Sequence, residues 1–169
     1  SAWTLFLSGH IKLAGLRGNE LVLEVRDVRE ALHRPIQTNL YAGDNVLPDG
    51  FEGTEDDLRG YPKPLAYGRC YNVPAICVNT ARHIYQVHDG PVNAIHIAKD
   101  VGAPFTFDQD YASKEALAAA SVPEGYYATC IAEGYFKLGS PPAGEVTADV
   151  EGDATGGYVE TVSEICERI

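Results

Sequence analysis

The sequence predicts a mainly β to α+β fold: one sheet-rich domain of short antiparallel strands, a short internal helix and a C-terminal helix. Short runs of aromatic and β-branched residues recur along the chain, parted by Gly, Pro, Asn and Asp. Only two segments carry a strong helical signal. With 169 residues the chain is also long enough to bury a core, on the order of 70% of the unfolded surface.

The opening "TLFLSGHIKLAGLRGNELVLEVRD" predicts two strands joined by a Gly/Asn turn. Leu21, Leu23 and Val25 alternate with Val22, Glu24 and Arg26, the period of a half-buried strand. "DVREALHRP" predicts a turn or two of helix, capped by Asp27 and stopped by Pro35. Residues 41–64 carry four Gly, three Pro and six acidic residues with little apolar periodicity. They predict a long loop with a single turn at "TEDDLRG", where Thr54 is the candidate cap. Loops of this length are usually functional or lie against a partner.

From Leu65 the pattern is that of strands. "LAYGRCYNV", "AICVN" and "HIYQVHD" give three, and the stretch from Gly90 to Ala112 gives one or two more around a "KDVGAP" turn. "SKEALAAAS" is the clearest helix, with Ser113 as its cap. "GYYATCIAEGYFKLG" suggests a bent strand or a hairpin at Glu133-Gly134, and "EVTADVEG" a last strand. In "YVETVSEICERI", Val159, Val162, Ile165, Cys166 and Ile169 share one helical face, expected to pack on this domain or on a following one. The organisation expected is a β-rich domain over residues 1–152 and a linker plus C-terminal helix over residues 153–169. The chain has no methionine and opens directly on a strand-like run, as a segment of a longer parent protein would.

Charge narrows the function. The 24 acidic and 13 basic residues give a net charge of -11. Residues 1–85 hold 9 basic and 10 acidic residues, and residues 86–169 hold 4 and 14, so the second half carries -10. Such a surface repels phosphate, which argues against nucleic acid and favours calcium or a basic partner. No apolar run reaches the roughly 20 residues of a membrane span. Cys70, Cys77, Cys130 and Cys166 form no CxxC pair and read as buried or half-buried thiols of a reducing compartment.

Two stretches carry candidate chemistry. "YQVHDGPV" sets His88 beside Asp89. Adjacent strand residues face opposite ways, so the two are not expected to pair. A turn is the better account: Asp89 accepts local bonds, Gly90 supplies positive φ and Pro91 fixes the next step. In "DVEGDATGGYVE", Asp149, Glu151, Asp153, Thr155 and Glu160 fall at positions 1, 3, 5, 7 and 12 of an EF-hand-like calcium loop. Ala154 stands where that loop needs glycine, and the preceding segment reads as a strand. The plainer account is an acidic loop leading into a helix. The five histidines are scattered without HExxH or HxH spacing. There is no nucleophile elbow and no phosphate loop.

The order of "GYPKPL", "GRCYNV", "YQVHDG" and "PAGEVTADVEG" resembles a group of phage and prophage tail proteins near the baseplate hub or tail tip, including those of gene-transfer agents. The likeness runs from about Leu5 to Gly152. It implies a virion structural domain acting through contacts with other tail proteins, or with further copies of itself as a homo-oligomer in the assembly. It implies no catalytic residues and no cofactor, and a location in the virion tail or, during assembly, the bacterial cytoplasm. The alternatives from other classes are a hydrolase of cell-wall sugar or peptide and a calcium-dependent binding module.

Overall fold

The computed structural model describes residues 9–27 and 35–169. Most of the helix expected in "DVREALHRP" lies outside the described residues. The chain parts into two compact units, residues 1–36 and residues 37–169.

In the first unit β1 (Gly9–Arg17) and β2 (Glu20–Asp27) form an antiparallel hairpin across Gly18-Asn19. Gly18 takes φ 65°, the left-handed conformation that glycine adopts without strain. The register pairs Leu16 with Leu21, Ala14 with Leu23 and, beyond a bulge, Ile11 with Val25. Directly opposed residues lie on the same face, so this face is apolar throughout. The expected half-burial is not found: residues 11–25 are all exposed, Leu16 at 79% and Leu21 at 66%.

The second unit is built on two sheets. One has the order β3 (Arg69–Pro74), β11 (Val146–Asp153), β6 (Val92–Asp100), β7 (Ala103–Pro104). The other runs β4 (Ile76–Asn79), β5 (Ile84–Gln86), β10 (Tyr135–Leu138), β9 (Tyr126–Cys130), β8 (Thr106–Asp110). Pairing is antiparallel as expected, except that β8 runs parallel to β9. Alternation drives the layering. Tyr85, Val87, Tyr127, Phe136 and Leu138 meet Ile95, Ala98, Ala148 and Val150 between the sheets. Tyr85 and Phe136 stack with ring centroids 5.3 Å apart. The opposite side chains, Ile84, Ala128, Cys130 and Tyr135, form a second core with Leu117 of α1 (Lys114–Ala119) and with Tyr41.

The long loop is therefore a third layer laid on its own sheet. Tyr41 is 2% exposed, and Asn45 Nδ2 and the Gly53 N–H both donate to the Val78 carbonyl. The turn at residues 55–60 forms as expected, but the capping is reversed: the Asp57 carboxylate accepts the Thr54 N–H. Ser113 caps α1 by accepting from the Ala116 N–H at 3.2 Å. The last helix, α2 (Val162–Arg168), starts later than its apolar stripe suggested, at a capping box between Thr161 and Glu164. Val162 and Ile169 are exposed; of the helical stripe from Val162 onward, only Ile165 is half-buried.

Candidate functional site

The 87–90 bend is held by its neighbours on every side. The Val87 N–H donates to Gly134 O, the Asp89 N–H to Pro64 O and the Val92 N–H to Ile131 O. Gly134 packs so closely on this bend that an added Cβ would collide with the carbonyls of His88 and Gly90.

His88 and Asp89 diverge. His88 points inward and is 3% exposed; its Nδ1 accepts the Ala66 N–H at 3.0 Å. That bond places any proton of the neutral ring on Nε2, which faces Asp153 Oδ1 at 3.7 Å, too long for a hydrogen bond. Burial lowers the His88 pKa, against the pull of Asp153 and Asp89. Asp89 turns outward, and its Oδ2 accepts from Gln37 Nε2 at 3.1 Å and Asn39 Nδ2 at 2.8 Å.

The five residues of the calcium-loop reading do not converge. Asp149, Glu151 and Asp153 are spaced along β11, each beside a basic side chain from another element. Asp149 takes Lys99 Nζ at 2.7 Å and the Asn72 N–H. Glu151 takes Asn93 Nδ2 at 2.6 Å and lies 3.1 Å from His96 Nε2. Asp153 takes Arg168 Nη1 at 2.6 Å and the Thr155 N–H at 2.9 Å. Burial pushes the Asp153 carboxyl up, but the Thr155 bonds and Arg168 outweigh it and hold the group below its usual range. Thr155 gives its carbonyl to Arg168 instead of to an ion, and Glu160 is exposed. Among the described residues no three His, Cys, Asp or Glu side chains are arranged to hold a metal.

Arg168 is the residue that sequence reasoning missed. It binds Asp153 and the carbonyls of Thr155 and Gly157, and so ties the final helix to β11. A basic residue in the last turn of a helix was the available signal. All four thiols are free; Cys70 and Cys77 are half-buried and Cys130 buried, while Cys166 is exposed, contrary to expectation.

A polar cluster stands where the long loop meets the sheet. Lys63 Nζ binds Glu52 Oε1 at 2.6 Å and lies 5.4 Å from the Tyr41 ring centroid. Lys114 Nζ lies 3.0 Å from Glu133 Oε2 and 5.9 Å from the Tyr135 centroid. The buried Gln86 accepts from the Tyr41 hydroxyl and donates to His88 O at 3.1 Å, so its amide is satisfied. Burial, then nearby carboxylates, raises the pKa of Tyr135.

Compared with family models, with curated proteins and with solved structures, the chain matches none.

Proposed function

We propose that this chain is a structural domain of a phage or prophage tail, at the baseplate hub or tail tip, working by protein–protein contact without catalysis. The observation that carries this reading is the hairpin of the first unit. Ile11, Ala14, Leu16, Leu21, Leu23 and Val25 share one face, and all are exposed in the free chain. A two-stranded hairpin is marginal alone in water, and an apolar face of this kind marks an interaction surface. The motif likeness to tail proteins supplies the class of partner: other tail proteins, or further copies of this one. The residues of "YQVHDG" fit the same reading, since the His88 side chain holds the backbone of Ala66 and the Asp89 side chain holds the side-chain amides of Gln37 and Asn39.

The test is incorporation. A tagged copy carrying Leu16→Asp and Leu21→Asp, expressed in the source cell, is expected to be missing from sedimented tail particles that retain the parent chain. Equal recovery of both chains in those particles would overturn the reading.

A further inference from the structure

The second unit carries an open recess of about 220 Å3 that the assembly reading does not use. The sequence stretches that meet there are remote from one another: Asn39 and Lys63 from the two ends of the loop, Asp89 and Gly90 from the bend, Lys114 from the start of α1, and Glu133 with Tyr135 from the β9–β10 turn. Two of the motifs read from sequence, "GYPKPL" and "YQVHDG", thus face one space.

Tyr135 lines this recess while only 4% exposed. Among the described residues its hydroxyl has no hydrogen-bond partner, yet unlike Tyr158 Oη it is not sealed from solvent. A phenol that is otherwise buried, unpaired among the described residues and part of the wall of a polar recess is placed to bind what enters it.

The walls offer both kinds of hydrogen-bonding group. An ammonium has three donors. Lys63 and Lys114 each engage one carboxylate, Glu52 and Glu133, and keep donors in reserve. Asp89 receives both of its amide partners on Oδ2, and among the described residues Oδ1 has no donor. Glu52, Glu133 and Asp89 outnumber Lys63 and Lys114 by one charge, so the recess presents no positive field to an anion, while the two ammoniums that line it oppose a cation. The complement of this wall is an uncharged molecule with donors and acceptors on one rigid frame. At ~30 Å3 per water the recess has room for about seven waters, the size of one sugar ring.

We propose that this recess binds a single neutral pyranose unit through its hydroxyls, with Asp89 Oδ1 accepting and the Tyr135 hydroxyl and the two lysines donating. Few polar contacts in an open site give weak binding, with dissociation constants on the order of millimolar. Such a site would let an assembled particle read a sugar surface without cutting it. It lies in a different unit from the hairpin, so either proposal can fail without the other.

The experiment is a titration of the 169-residue chain followed by amide chemical shifts. Glucose, galactose and N-acetylglucosamine are the probes; glycine, acetate and inorganic phosphate are the charged controls. At least one sugar is expected to give saturable shifts at Asp89, Gly90, Lys114 and Ala132 to Tyr135. Tyr135→Phe removes a hydroxyl that holds nothing among the described residues, and Asp89→Asn keeps an oxygen for the Gln37 and Asn39 amides while replacing the accepting Oδ1 by a donor. Each is expected to weaken binding about tenfold with the melting temperature unchanged. The proposal is overturned if no sugar gives saturable shifts at these amides, if a charged control binds there and the sugars do not, or if both variants bind as tightly as the parent.

Discussion

The antiparallel pairs β1–β2 and β9–β10 use similar residues and meet opposite fates. In β9–β10, Tyr127, Ala128, Cys130, Tyr135, Phe136 and Leu138 are all buried, because the other sheet covers one face and the loop with α1 covers the other. In β1–β2 an equally apolar face remains exposed. Alternation therefore fixes that a segment is a strand and which side chains share a face; it does not say what covers the face. That difference divides the labour within the chain. The second unit holds the buried core, and in the proposed reading the hairpin of the first supplies contact.

The largest effect that would sharpen this division comes from the centre of the body. Phe136→Ala opens a cavity between the two sheets and is expected to cost about 3–5 kcal/mol, measured by chemical denaturation. A loss under about 1 kcal/mol would show that the inter-sheet core does not carry the fold. Next is Arg168→Ala, which leaves the nearly buried Asp153 carboxylate without its cation. A loss of about 2 kcal/mol is expected, with α2 released from β11, visible as fast hydrogen exchange of the Val162 to Arg168 amides.

His88 gives a pH signature. Its folded pKa lies below the unfolded value because burial disfavours the charged ring. The stability it contributes is present above the ordinary histidine value of about 6.5 and is lost as pH falls from there through the folded value. The melting temperature is expected to drop across that window, and His88→Gln, which does not titrate, is expected to flatten the drop. An identical slope in the variant would remove His88 from the account. The smallest effect belongs to the hairpin: Leu21→Ser in the free chain is expected to change stability by less than about 0.5 kcal/mol. A loss comparable to that of Phe136→Ala would mean that the hairpin face is packed and not free.

Much of the fold was legible in the sequence, for local reasons. Period-two alternation marked the strands, Glu133-Gly134 marked a hairpin, and Ser113 marked the start of α1. The divergence of His88 and Asp89 followed from their adjacency. What stayed hidden depends on residues far apart in the chain. Spacing at 149, 151 and 153 looked like a calcium loop because nothing local announces that Lys99, His96 and Arg168 arrive beside those carboxylates. The parallel pairing of β8 with β9 has no local signature either. The recess was invisible for the same reason, as its walls come from four separate stretches of sequence. The long loop misled through its composition: its Gly, Pro and acidic residues suggested an outward surface, while the buried anchor is one aromatic, Tyr41.

Hydrogen exchange of the β1–β2 amides tests the division of labour most directly, read once in the free chain and once in assembled tail particles. The account expects fast exchange in the free chain, because a lone hairpin is marginally stable, and strong protection in the particle, where its apolar face is covered. Equal exchange rates in the two states would contradict it.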